Sequence, residues 1–205
     1  MYNIPYFKAN DPREVIEFMR TNPFAMLCGI DEKGFPVASH LPLLLEERDG
    51  RLFLEGHSMK KQDHTDAWYR NSNVLAIFSG PHTYVSASWY TNQQVASTWN
   101  YQAVHASGQL RMLDEEALHA VLTRVTRTFE SPDSPSLVER MDPAYVKQMM
   151  KAIVAFEIEV CSIEHVFKLS QNRDAHSYDN IINHLRERDP EAQQVARIME
   201  EKRKD

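Results

Sequence analysis

Glycine is scarce: six residues in 205, none of them in a closely spaced run. The P-loop and the dinucleotide fingerprint both need clustered glycines where backbone meets phosphate, so both are excluded. A phosphate held in another way is not. Cysteine is scarcer still. Cys28 and Cys161 lie far apart in apolar runs, without CxxC spacing. They read as two buried free thiols in a reducing compartment, not as a disulfide or a thiolate metal site. There is no GxSxG nucleophile elbow. His40, His57, His64, His82 and His105 never fall into HExxH spacing, so no metal centre is assigned. No apolar run reaches membrane-spanning length and no leader-like segment is apparent, so the expectation is a cytoplasmic protein without a membrane partner. Positive charge is also in deficit, with 23 Lys and Arg against 29 Asp and Glu and a net charge of -6. Together with the lack of helix-turn-helix or zinc-finger spacing, this argues against a broad nucleic-acid face. Arg186, Arg188, Arg197, Lys202, Arg203 and Lys204 are interleaved with acids and read as a solvated helix surface.

What is present is the composition of a globular core, 42% hydrophobic and 10% aromatic. Asp11-Pro12-Arg13-Glu14 starts a helix that Asn22-Pro23 stops, with Glu14 placed to reach back as in a capping box. Strand signals follow: 24–30, an extended 35–47 with Pro36 and Pro42 marking an edge or bulge, and an alternating 51–57. "DEKG" (31–34) and "RDG" (48–50) supply the turns. A short helix fits 60–70, and strands fit 73–80 and the alternating "HTYVSASWY" (82–90). "STWNYQAVHASGQL" (97–110) finishes as a strand through Leu113. Asp114 caps a helix, a second helix begins at Asp142-Pro143, and 154–164 alternates like a final strand. The tail reads as two polar helices separated by Asp189-Pro190. This order predicts an α+β fold, a mainly antiparallel closed or partly closed barrel with inserted and C-terminal helices. Residues 1–173 form the expected main domain and 174–205 a helical appendage.

Within that barrel, "STWNY" is unlike an ordinary core strand. Trp99 and Tyr101 flank an amide, two hydroxyls precede them, and His105 follows. "SHLPL" (39–43), "EGHSMKK" (55–61), "GPHTYVSASWY" (80–90) and "FKLSQN" (167–172) share this polar, aromatic character. Such groups suit a planar polar ligand: the aromatics stack, while Ser, Asn and Gln offer donors and acceptors. His57, Lys60, Lys61 and Lys168 suit a phosphate. Core or interface aromatics with satisfied polar ends remain the alternative for Trp99 and Tyr101, and more so for Trp68 and Trp89.

"NPFAML", "ASHLPLLLE", "LAIFSGPHTYVSASWY", "STWNYQAVHASGQLR" and "FKLSQNR" closely resemble, in order and spacing, the motifs of the PaiB-type proteins, the FMN-binding negative transcriptional regulators. The resemblance runs from about Met1 to about Arg173. It implies a flavin-binding split β-barrel that forms a homodimer and binds FMN at the subunit interface. Carried over residue by residue, it points to Ser39, His40 and Leu41, then His57, Ser58 and Lys60, for the isoalloxazine edge and the phosphate. Thr98, Trp99, Asn100 and Tyr101, with Lys168, Ser170, Gln171 and Asn172, would complete the pocket, from the same or the other chain. One departure is Ser97, where that family usually has a proline. The resemblance implies a flavin-binding negative transcriptional regulator acting through DNA or a regulatory protein partner, although the acidic charge gives direct DNA binding no support. An FMN-dependent oxidoreductase or flavin reductase, and a module for a ligand other than flavin, are the alternatives. No catalytic residue is assigned, because FMN itself carries the redox chemistry in such enzymes.

Overall fold

A computed structural model describes residues 1–203. Seven strands and six α-helices follow one another as α1 (Pro12–Thr21), β1 (Phe24–Ile30), β2 (Pro36–Pro42), β3 (Leu44–Arg48), β4 (Arg51–Met59), α2 (Asp63–Arg70), β5 (Asn73–Val85), β6 (Thr98–Met112), α3 (Glu115–Phe129), α4 (Pro143–Met150), β7 (Ile153–Lys168), α5 (Ala175–Arg186) and α6 (Pro190–Lys202). The strands form one sheet in the order β2-β1-β5-β6-β7-β4-β3, and the β1–β2, β1–β5, β3–β4 and β4–β7 pairs are antiparallel. The expected α+β architecture is therefore present.

Local chemistry accounts for the hairpins. Between β1 and β2, the Asp31 carboxylate accepts from the backbone N–H groups of Lys33 and Phe35 at 2.9 and 2.8 Å, and Gly34 takes a φ of 82°. Between β3 and β4, Asp49 and Gly50 both have positive φ, 51° and 73°, as a tight two-residue hairpin loop requires. The stretch 35–47, expected as one extended segment, divides at Pro42. β2 and β3 take opposite ends of the strand order, and both prolines lie at the ends of edge strand β2, where a missing N–H costs no ladder bond.

The alternation of 82–90 continues as a strand only through Val85. Ser86 then turns its hydroxyl onto the Ser88 N–H and nucleates a 3-10 turn, Ala87–Trp89. The Asp residues expected at helix starts do cap: Asp114 accepts from Ala117 N at 2.9 Å, Asp142 from Ala144 N at 3.0 Å and Asp189 from Ala192 N at 3.0 Å. Asp11 caps in the same way as Asp142, accepting from Arg13 N at 2.9 Å, whereas Glu14, expected to close a capping box, pairs with Lys202.

The chain divides into two compact units. The first comprises Met1–Phe18, Ser79–Val104 and the chain from Glu164 onward; the second comprises Met19–Phe78 and His105–Ile163. The boundary expected at Arg173 falls inside the first unit. There, Ile181, Ile182 and Leu185 of α5 and Val195, Ala196 and Met199 of α6 bury against Val85, Tyr90 and Leu169. The second unit has a cluster of Leu118, Val121, Val138, Val146, Met150 and Ala155 beneath α3 and α4. Trp68 is fully buried there, edge-on to Phe156 with centroids 5.6 Å apart. Cys28 is half-buried, and burial pushes its thiol pKa up. Cys161, expected to be buried, is exposed, because it falls on the outward-facing part of β7 after Ile158. Among the described residues no helix is long and apolar enough to cross a membrane, and no three His, Cys, Asp or Glu converge as a metal site.

Candidate functional site

In the first unit the two most distinctive sequence motifs meet. β6 opens with Thr98-Trp99-Asn100-Tyr101, and β7 ends at Lys168 before a turn through Leu169–Asn172. Lys168 Nζ donates to Thr98 Oγ1, and Ser170 Oγ donates to Asn100 Oδ1 at 2.9 Å. These bonds span 70 residues of sequence and join the motifs directly. Burial, and then the nearby Arg173 charge, push the Lys168 ammonium pKa down. Ser170 has a φ of 62°, a left-handed conformation that aims its hydroxyl at Asn100 while Arg173 N closes the turn on Ser170 O at 3.0 Å. Gln171 braces the same turn, accepting from Leu169 N at 2.7 Å and donating to Phe167 O at 2.5 Å. Asn172 is exposed.

The four residues of "TWNY" divide by role. Asn100 is completely buried, with its amide nitrogen directed at Met199 Sδ at 3.4 Å and its oxygen engaged by Ser170. Trp99 points the other way and is 51% exposed, near His82 and Tyr84 at centroid distances of 6.0 and 5.9 Å. Trp99 and Tyr101 line a cavity of about 320 Å³ with Ser79, Gly80, His82, Gln102 and Ala103. The exposed indole is unlike a core aromatic, and the buried amide is unlike a ligand contact. Asn100→Ala is therefore expected to destabilise the fold by about 2 kcal/mol, because it strands the buried Ser170 hydroxyl. Thermal melting checks this, and an unchanged melting temperature would contradict it. Ser97, at the position where a proline was expected, accepts from Ala87 N at 2.9 Å and pins the 3-10 turn to the start of β6.

The second unit holds the other expected residues. On β2, Ser39 is half-buried, His40 is exposed beside Phe24 with centroids 6.0 Å apart, and Leu41 is buried. On β4, Ser58 is buried and shares a hydrogen bond with Thr65 Oγ1 at 3.0 Å. His57 is half-buried, and its Nδ1 is buried without a hydrogen-bond partner. Burial pushes the His57 pKa down, so at neutral pH it offers a neutral imidazole, not a cation. Lys60 is exposed, and its Nζ donates to Lys151 O at 3.2 Å. Of His57 and Lys60, the latter, just past the end of β4, is thus the one that carries charge for a phosphate.

Sequence reasoning overlooked a cluster beside these residues. Glu55 and Glu157 are both buried and directly opposite one another in the β4–β7 register. Arg124 of α3 reaches Glu55 through Nε at 2.9 Å and Nη2 at 2.5 Å. Arg48 and Arg111 both reach Glu157, the latter at 2.9 Å. Burial works to raise the Glu157 pKa, but the two arginines outweigh it and hold it below the usual carboxylate range. The available signal was an acid in the middle of each alternating strand, "RLFLEGH" and "VAFEIEV".

With this geometry in view, comparison with known proteins places the fold. A FAD- and heme-binding protein from Mycobacterium smegmatis superposes with a TM-score of 0.61 at 15% identity, over 83% of this chain and 78% of that one. The flavocytochrome Anf3 from Azotobacter vinelandii gives 0.60 at 15% identity, over 87% and 78%. The chain has the split-barrel fold of these proteins. A family model described as "Putative FMN-binding domain" matches residues 1–162. The Bacillus subtilis protein called "Protease synthase and sporulation protein PAI 2" is 37% identical over 206 residues, spanning 100% of this chain and 99% of its own length. The chain belongs to this family, the PaiB-type proteins.

Proposed function

We propose that this protein binds FMN as a cytoplasmic homodimer, with residues of both copies around each flavin. The observation that carries the reading is the joining of the two family-typical motifs by Lys168–Thr98 and Ser170–Asn100, with the Trp99 face left outward. In the proposed arrangement β2 and β4 of one copy supply Ser39, His40, Leu41, His57, Ser58 and Lys60. The second copy supplies Thr98–Tyr101 and Lys168–Asn172.

The residues present fit such a group. Lys60 offers the charge for a phosphate, the unpartnered His57 Nδ1 offers a neutral polar atom, and Trp99 offers a stacking face. Asn100 acts as a positioning residue, fixing the strand that presents Trp99. When bound, FMN supplies one- and two-electron redox chemistry. The chain's own part is to hold, orient and partly cover it.

The regulatory role follows the name of the Bacillus subtilis relative, and we propose that it is exercised through a protein partner. The ion pairs of the tail's cations support this route over direct DNA contact. Lys202 pairs with Glu14, Arg203 with Asp179 and Arg186 with Glu200, which leaves little positive charge for phosphates in a chain of net charge -6. Salt-steep retention of duplex DNA by the purified protein would contradict it.

The binding site itself is tested by Trp99→Ala. Loss of one stacking face is expected to weaken FMN about ten- to a hundredfold with little change in melting temperature. A lower melting temperature with unchanged FMN affinity would assign Trp99 to packing.

A further inference from the structure

A second cavity lies wholly within the first unit, separate from the one beside Trp99. It measures about 520 Å³, within the usual range for small-molecule sites. Its walls come from the N-terminal segment (Pro5, Tyr6, Lys8, Asn10), the end of β7 and its turn (Phe167, Leu169, Gln171, Arg173), α5 (Ala175, Tyr178) and the end of α6 (Lys202, Arg203). Four of these residues are cationic, and none of the described lining residues is an acid. In a chain of net charge -6 this is a local reversal of sign.

The four cations are not equivalent. Lys202 and Arg203 are answered by Glu14 and Asp179. Lys8 and Arg173 are held by neutral groups instead. Lys8 Nζ donates to the His165 carbonyl at 2.8 Å, and the Arg173 guanidinium lies over the Tyr90 ring at 4.2 Å. Their charge is felt by their neighbours. Arg173 adds to burial in lowering the Lys168 pKa, and Lys8 adds to burial in lowering that of His165, against an opposing pull from Glu14. Two held cations with no carboxylate partner among the described residues, in a concave site with aromatic walls, form a receptor for an anion that has a flat body. Tyr178 adds no charge of its own: burial, against the opposing pull of Arg203, pushes its pKa up to about 12, and its hydroxyl donates to Met199 O at 2.8 Å. Tyr6, 55% exposed, supplies the ring face, while Phe167 is buried in the cavity floor.

We propose that this pocket is an effector site for a small phosphate monoester carrying a planar ring, of the nucleoside monophosphate class, with the phosphate on Lys8 and Arg173 and the ring against Tyr6. The proposal does not depend on the flavin reading. The test is calorimetric titration of the full chain, first saturated with FMN and then without it, using AMP, adenosine and inorganic phosphate as probes. AMP should bind saturably at one per chain in both states, with adenosine and inorganic phosphate each at least about tenfold weaker. Lys8→Gln and Arg173→Gln should each weaken AMP about tenfold or more while circular dichroism stays unchanged, and Lys8→Gln, away from the flavin motifs, should also leave FMN affinity unchanged. Lack of saturable AMP binding would overturn the proposal, as would AMP affinity that survives both substitutions. Mutual displacement of AMP and FMN would assign the pocket to the flavin and overturn it too. Failure to bind FMN, with AMP bound as expected, would sink the flavin reading alone.

Discussion

Gly108→Ala is expected to cost the fold about 3 kcal/mol, the largest loss from a single added methyl group in this chain. Gly108 sits in β6 against β7, and a Cβ there would lie 2.3 Å from Glu159 O and 2.7 Å from Ile158 Cγ2. The nearer obstacle is backbone. β7 is also paired with β4 on its other side, so it cannot retreat without breaking that ladder. For a chain of this size the loss corresponds to a melting temperature about 6–12 °C lower. Gly34→Ala is the control. Its Cβ would meet nothing within 4 Å, so only the cost of its positive φ, about 1 kcal/mol, is incurred. Thermal melting of the two variants decides the point. Equal losses would mean that close strand approach is not what Gly108 provides.

The second large effect is expected at Arg124. Its guanidinium neutralises a carboxylate buried opposite a second buried carboxylate, so Arg124→Ala leaves Glu55 uncompensated beside Glu157. Breaking a buried pair costs about 3–5 kcal/mol; the Arg124 side chain is 39% exposed, so water relieves part of that and about 2 kcal/mol is expected. Arg111→Ala should cost less, because Glu157 keeps Arg48. Adding Glu55→Gln to Arg124→Ala should recover much of the loss, since it removes the stranded charge. The pair also sets a pH dependence. The folded-state pKa of Glu157 is lowered, so its contribution is fully present above the unfolded-state value and is lost as pH falls through the folded value. Acid unfolding should therefore begin at higher pH in Arg111→Ala than in the parent. Coincident acid transitions would contradict this.

These two sites also mark how far the sequence could be read. Signals confined to a few neighbouring residues were legible: the Asp31–Gly34 and Asp49–Gly50 turns, the Asp caps at 114, 142 and 189, and the two helices of the tail. The Asp31 turn and the caps rest on a side chain meeting backbone within four residues, and the Asp49–Gly50 turn on two adjacent positive φ angles. Pairings set by strand register were not legible. Nothing in "RLFLEGH" or "VAFEIEV" announces that Glu55 will face Glu157 or that an arginine of α3 will reach over them. The candidate site divides in the same way. The resemblance marked Trp99 and Asn100 together, but a one-residue step along a strand reverses the side-chain direction, so one is exposed and the other completely buried. Arg173 closes the "FKLSQNR" motif, but Lys8 belongs to none of the motifs. Only the fold brings an N-terminal lysine and an arginine 165 positions later to one cavity.

The account rests most heavily on flavin binding. Titrating the purified protein with FMN, followed by flavin fluorescence and visible absorption with the assembly mass measured alongside, tests it directly. The account predicts saturation at one FMN per chain on a species with the mass of two chains. An intact, folded dimer whose fluorescence and absorption traces show no saturable FMN binding would contradict it.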